Sequence, residues 1–259
     1  MNREAVIEEI RDGVALLTMN RPERRNAFND RQYDDLRDAL TDAQGNDDVR
    51  VVVLTGAGTA FTAGQDLSEM GGIAHADSEP HGFTPFMDRL ASFDKPLMAA
   101  VNGVAVGIGV TMLLHCDVVY VSERARLRAP FISLGIVPEA GSSLLLQLAV
   151  GPQRAAETLY TCEWIDSAYA VEIGLAARCL PDSELVEEAL VKARQIACQP
   201  LAALRETKRL LLDVRAEALA TARKREDRRM RTRIGSPENL EAIAAFREKR
   251  KADFSRSRG

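Results

Sequence analysis

Two short turns carry the residues of this 259-residue chain best placed to steady a developing negative charge. One is Ala60-Phe61-Thr62-Ala63-Gly64-Gln65-Asp66-Leu67, which follows the apolar run Val51-Val52-Val53-Leu54-Thr55. The other is Asn102-Gly103-Val104-Ala105-Val106-Gly107-Ile108-Gly109, which follows residues 97–101 and opens a helix. Small residues let a backbone approach a ligand closely, and the first turn of a helix leaves N–H groups unpaired. Two such turns can aim two amides at one oxyanion. Each turn taken alone also reads as tight packing. A third feature is acidic: Pro138-Glu139-Ala140-Gly141-Ser142-Ser143 sets Glu139 just ahead of a helix. A carboxylate there can move a proton, or it can simply place a favourable negative charge at the helix N-terminus.

Other chemistries find less support. Gly56-Ala57-Gly58 follows a strand, with Asp77 and Glu79 about 20 residues on, and so imitates a dinucleotide fingerprint. That fingerprint needs a helix starting within the glycines, and Phe61-Thr62-Ala63-Gly64 does not read as one. Neither GxxxxGK[ST] nor GxSxG occurs. His75, His81 and His115 lack metal-ligand spacing. Cys116, Cys162, Cys179 and Cys198 stand far apart with no CxxC pair, and are expected as reduced, buried thiols in a cytoplasmic protein.

The elements that must position these residues follow from pattern. Residues 5–10 and 14–19 alternate about Asp12-Gly13 as a hairpin. Asn29 or Asp30 caps a helix running to about Gln44. Residues 51–55, 97–101 and 118–121 read as buried strands, 107–115 as a Gly-rich helix and 176–180 as a late short strand. Residues 56–67 read as a loop and 71–85 as an irregular segment. The chain turns mostly helical from Gly141, and Ser236-Pro237-Glu238 is a helix start. Apolar residues make up 46%, enough for a sizeable α/β core. Acidic residues outnumber basic ones, 38 to 34, which argues against nucleic-acid partners. No apolar stretch is long enough for a membrane span, and Met1-Asn2-Arg3-Glu4 does not open a secretory signal. From residue 205 onward 17 basic residues face 9 acidic ones, the solvated face of amphipathic helices or a rim for an anionic ligand.

The chain resembles the crotonase (enoyl-CoA hydratase/isomerase) superfamily. The likeness lies in Phe61-Thr62-Ala63-Gly64-Gln65-Asp66-Leu67, in Asn102-Gly103 through Gly107-Ile108-Gly109 with Cys116-Asp117 following, and in Ser236-Pro237-Glu238 with Phe246-Arg247-Glu248-Lys249-Arg250. It implies a spiral of ββα repeats over 1–200, with the acyl-CoA site. It also implies a helical region over 201–259 for oligomerisation and cover of that site, in a homotrimer or dimer of trimers. The ligand is an acyl-CoA thioester whose carbonyl the Gln65 and Ile108 amides polarise, and no separate cofactor is required. The family commonly has glycine where Ile108 stands, which a main-chain contact tolerates. The same likeness places CoA against Arg25, Ala27, Ala63, Gly64, Asp66 and Leu67, with Gly107, Phe131 and Leu134 around the acyl end. Arg24, Arg25 and Lys249 are its phosphate candidates.

Hydratases of the family carry two glutamates, and here Thr111 and Phe131 occupy those positions. Neither can hold and deprotonate water. The stretch from Pro130-Phe131 through Leu134-Gly135 and Pro138-Glu139 to Ser142-Ser143 is instead similar to peroxisomal-type delta(3),delta(2)-enoyl-CoA isomerases, in which the glutamate matching Glu139 is the base. The resemblance thus implies isomerisation of 3-enoyl-CoA, walled by Phe131, Ile108, Val110 and Leu134. A hydratase or other reaction on a CoA thioester is the alternative, and a non-catalytic acyl-CoA- or RNA-binding relative is another.

Overall fold

The computed structural model describes residues 3–67 and 82–256. The hairpin forms as its alternation predicts: β1 (Val6–Arg11) pairs antiparallel with β2 (Val14–Met19). Helix α1 (Asp30–Gly45) starts where Asn29 accepts a hydrogen bond from the Gln32 amide. Three strand–strand–helix units follow. The first is β3 (Val51–Gly56), β4 (Ala60–Thr62) and α2 (Phe83–Ser92). The second is β5 (Leu97–Val101), β6 (Val104–Val106) and the short α3 (Ile108–Thr111). The third is β7 (Val118–Ser122), β8 (Arg126–Arg128) and α4 (Ser142–Val150). Then come α5 (Pro152–Thr161), β9 (Ile165–Asp166), α6 (Ser167–Glu172), β10 (Arg178–Leu180) and α7 (Leu185–Ala197). Two helices end the fold, the 33-residue α8 (Leu201–Arg233) and α9 (Pro237–Arg247), the latter capped by Ser236.

The first strand of each unit enters a six-stranded sheet, β1-β2-β3-β5-β7-β10, and the second a four-stranded sheet, β4-β6-β8-β9. Beyond the hairpin the large sheet is parallel and covered on both faces, which is why β3 reads as an unbroken apolar run. Val52 and Leu54 face the main core, with Leu36 and Leu40 of α1 and Phe86 of α2. Val51 and Val53 face a second core with Leu185, Ala189 and Ala193 of α7. Each large side chain so buried contributes about 1.5–3 kcal/mol.

Helix α8 is tied to this core by acids at the ends of core elements. Arg205 and Arg209 both donate to Asp94, at 2.7 and 2.8 Å. The Lys208 ammonium lies 2.7 Å from both oxygens of Asp117, one of which also accepts from the Leu97 amide. Part of the basic excess of this region is therefore structural. No helix among the described residues is long and apolar enough to cross a membrane.

Several expectations need correction. The 56–67 loop contains strand β4, three residues whose brevity hides the alternation. Residues 83–85 belong to helix α2, whose apolar face (Phe86, Met87, Leu90) packs in the core; residues 71–81, with Asp77, Glu79, His75 and His81, lie outside the described residues. All four cysteines are free, but Cys179 in β10 and Cys198 just after α7 are exposed and Cys116 is half-buried, so burial accounts only for Cys162.

Candidate functional site

Strands β4 and β6 pair in parallel, Ala60 with Val104 and Thr62 with Ala105, so both leave the small sheet at the same end. The two glycine turns that follow are therefore neighbours. At Gly64 φ is +91°, and a Cβ there would lie 2.7 Å from the Val106 carbonyl oxygen, so only glycine fits this crossing. On one turn Phe28 N–H donates to Gly64 O and Asp66 N–H to Phe28 O, both at 2.8 Å, which leaves the Gln65 amide out of the ladder. On the other, Gly107 N–H bonds Arg128 O, and Ile108 takes the first position of α3, where its N–H has no intrahelical acceptor. The Gln65 side chain is fixed by Tyr33, whose hydroxyl donates to it at 2.9 Å. Tyr33 packs against Phe28, Phe83 and Phe86, and burial, with a smaller push from Glu139, holds its phenol well above the ordinary range.

The turn that presents Glu139 is held from three sides. The Glu139 carbonyl accepts from the Ser142 amide at 2.9 Å and the Ser142 hydroxyl at 2.5 Å. Ala140 sits in the left-handed region at φ +61°, and His115 Nε2 lies 2.8 Å from its carbonyl oxygen. Burial lowers the His115 imidazole to about 4, so it is neutral and Nε2–H donates to that carbonyl. Glu226 of α8 supplies the third hold: its two oxygens accept from Gly141 N–H (2.6 Å) and Ser143 N–H (2.8 Å), the amides that open α4. Glu226, not Glu139, is therefore the acid that serves this helix N-terminus. Glu139 is half-buried, open to a cleft yet densely surrounded by protein. Burial first, and the neighbouring Glu226 second, push its carboxyl up to about 8. Burial prevails here over the helix N-terminus because the amides that open α4 already receive Glu226.

These parts line one cleft of roughly 1470 Å³, larger than a common small-ligand site. Arg24, Arg25, Ala27, Ala63, Gly64, Gln65, Asp66, Leu67, Gly107, Ile108, Phe131, Leu134 and Glu139 all border it. Lys249 does not: it is the left-handed residue (φ +55°) that ends α9, with its own amide on Phe246 O and the Arg250 amide on Ala245 O. That turn directs Arg250 and Lys251 to the cleft instead, a choice among three consecutive cations that spacing cannot make. Val110 also lies outside the wall, buried in the core; Ile136 and Pro138 border the cleft beside Phe131. Asn26, between Arg25 and Ala27, turns inward and donates to the Ala57 and Ala60 carbonyls. Thr111 is buried off the cleft.

Sequence reading passed over Tyr33 and Glu226, and weighed His115 only as a metal ligand. Only Glu226 carried a signal, as part of the acidic pair Glu226-Asp227 interrupting the basic run Arg223-Lys224-Arg225 and Arg228-Arg229.

The model of the family described as Enoyl-CoA hydratase/isomerase matches residues 9–257. A mitochondrial enoyl-CoA hydratase of Pongo abelii is 34% identical, over 98% of this chain and 88% of that protein. A 1,2-epoxyphenylacetyl-CoA isomerase of Escherichia coli K12 is 32% identical, over 97% of this chain and 98% of that one. The crystal structure of an enoyl-CoA hydratase/isomerase from Pseudoalteromonas atlantica superposes with a TM-score of 0.93 at 39% identity, covering 97% of this chain and 100% of that one. With a family match over nearly its full length and two interleaved sheets of the same build, the chain belongs to the enoyl-CoA hydratase/isomerase family and has the crotonase fold.

Proposed function

We propose that the chain isomerises 3-enoyl-CoA to trans-2-enoyl-CoA, the reading that its likeness to peroxisomal-type isomerases suggested. Glu139 removes a proton from C2 of the bound thioester, and the electron pair left at C2 moves toward the thioester carbonyl to give a dienolate conjugated with the C3–C4 double bond. Its charge rests on the thioester oxygen, where the Gln65 and Ile108 amides each lower the barrier by about 3 kcal/mol. Glu139, now protonated, returns the proton to C4, and the double bond forms between C2 and C3. No cofactor enters beyond the coenzyme A of the substrate. The observation that carries this reading is the Glu139 carboxylate on the same cleft as the neighbouring Gln65 and Ile108 amides, with Phe131 and Thr111 at the positions where the resemblance places a hydratase's acids. Glu226 cannot serve as the missing second acid, because both its oxygens are committed to Gly141 and Ser143. A carboxyl raised to about 8 is also well matched to taking and returning a proton near neutrality. Hydration of 2-enoyl-CoA is the second reading, favoured by relatives named as hydratases. Incubation of the pure chain with trans-3-enoyl-CoA, and separately with trans-2-enoyl-CoA and water, separates the two. Conversion of the first with no 3-hydroxyacyl-CoA from the second is expected; 3-hydroxyacyl-CoA as the main product overturns the proposal.

For the nucleotide end we propose Arg24 and Arg25, both exposed at the cleft. Replacing both by alanine is expected to raise KM for an acyl-CoA about tenfold with kcat nearly unchanged, because phosphate contacts are equal in ground and transition states. A fall in kcat with KM unchanged would contradict this placement. We also propose that 201–259 is the oligomerisation and cover region. Its support is the exposed apolar set Leu210, Leu211 and Val214 on α8, the last 90% exposed. A homotrimer or dimer of trimers is expected by light scattering, and a monomer would contradict it. The free cysteines suit a reducing, cytoplasmic location, which belongs to the same proposal.

A further inference from the structure

We propose that Glu226 is a positioning residue for Glu139: from α8 it occupies the amides that open α4, denies them to Glu139, and sets a carboxylate beside it. This rests on Glu139 being the base. Glu226 is only 6% exposed, and it belongs to the C-terminal helical region rather than to the element that carries the base. Both its oxygens accept, an arrangement that an ionised carboxylate satisfies. A helix N-terminus next to an acid normally stabilises the ionised form and weakens it as a base. Here that positive end is neutralised by another acid, so Glu139 meets burial and a like charge instead, and its carboxyl is raised.

The groups facing Glu139 from the other elements do not cancel this arrangement. From α8, Arg223 is paired with Asp88 of α2 at 2.7 Å. From the turn after α3, His115 is neutral and donates to Ala140 O. From α1, Tyr33 holds its proton, its phenol raised well above the ordinary range. Asp227 also borders the cleft, paired with Arg231 at 2.9 Å, while Arg24, Arg25 and Lys224 bring positive charge there from exposed positions. Glu226 is the group among these that both touches the Glu139 turn and stands out as a cause of its raised carboxyl.

The test is the pH dependence of kcat/KM on 3-enoyl-CoA for the full chain and for Glu226→Gln and Glu226→Asp. Glutamine keeps one acceptor oxygen for the helix amides but removes the charge. The acid limb of Glu226→Gln is expected to move down by about one pH unit. Its plateau kcat should fall about threefold to tenfold, as a weaker base gives. Glu226→Asp, which keeps the charge, should hold the limb near that of the unchanged chain. A Glu226→Gln profile with the limb unmoved, lower at every pH by one factor, overturns the proposal and leaves Glu226 a structural cap. A carbon-13 titration of the Glu139 carboxyl, assigned by its absence in Glu139→Gln, needs neither turnover nor a folded Glu226 variant. Titration well above the ordinary carboxylate range, coupled to a second carboxyl, supports the proposal; a single ordinary step overturns it. If the unchanged chain fails to isomerise any 3-enoyl-CoA, the activity reading fails, while the titration still reports whether Glu226 acts on Glu139.

Discussion

Glu139→Gln is expected to lower kcat/KM for 3-enoyl-CoA by ~10²–10⁴-fold while raising thermal stability at alkaline pH. The kinetic loss follows from the geometry of the cleft. Glutamine fills the same space between Phe131 and Ala140 but cannot accept the C2 proton, and the committed oxygens of Glu226 offer no substitute. Substrate binding should persist, since the amides and the Arg24–Arg25 edge are untouched, so the fall should appear in kcat rather than KM.

The stability gain comes from the same carboxyl. Its pKa is raised from the ordinary 4.5 to about 8 in the folded chain. Below the lower value both folded and unfolded forms hold the proton, and nothing is lost. Between the two values the unfolded chain has released a proton that the folded chain still keeps, so stability falls as pH rises through this window. Above about pH 8 the full penalty of a buried anion beside Glu226 is present. Glutamine carries no such penalty. Melting temperatures of the two chains should therefore converge near pH 4.5 and separate toward pH 9, with the variant higher. An equal difference at every pH, or a variant that retains turnover, contradicts the role given to Glu139.

Gly64→Ala carries the second large expected effect. The added methyl would meet the Val106 carbonyl at 2.7 Å, and φ at +91° is itself unfavourable for alanine. Relief requires the 63–67 turn to move away from the 106–108 turn, and with it the Gln65 amide. Losing one of two oxyanion donors costs about 10²–10³-fold in kcat. Forcing a side chain into this backbone conformation costs about 1–3 kcal/mol of stability. Gly107→Ala is the matched control. Its φ is +56° with ψ −115°, so alanine is strained there too, but a Cβ meets nothing within 4 Å, so no clash with another turn adds to the backbone cost and the Ile108 amide can stay in place. Steady-state kinetics and urea unfolding of the two variants should rank Gly64→Ala as much the more damaging in both. Equal losses would mean that the close crossing of the turns does not hold the amides in register.

The parts of the site legible in sequence are those whose cause is local. A strand ending in glycines announces the Gln65 turn, a strand leading into a Gly-rich helix announces Ile108, and Pro138 before a helix start announces Glu139. Each needs only neighbours in the chain. The supports come from far away: Tyr33 lies 32 residues from Gln65, and Glu226 lies 85 residues from the Gly141 amide that it receives. Such pairings depend on how α1 and α8 settle on the sheets, which no short window encodes. In the fold, the long strands showed through burial on both faces, whereas β4, β6 and β8 are three residues each and lack room for a pattern. The Lys249 error has the same origin, since the left-handed turn ending α9 decides which of three adjacent cations meets the cleft.

The central claim is that one carboxylate carries one proton from C2 to C4, and deuterium tests it most directly. Trans-3-enoyl-CoA labelled with deuterium at C2 would be turned over once in ordinary water and the product resolved by mass spectrometry and NMR. The account predicts trans-2-enoyl-CoA with part of the abstracted deuterium at C4, and loss of that product in Glu139→Gln. A 3-hydroxyacyl-CoA that has taken oxygen from water, or a 2-enoyl product with no deuterium at C4, would contradict it.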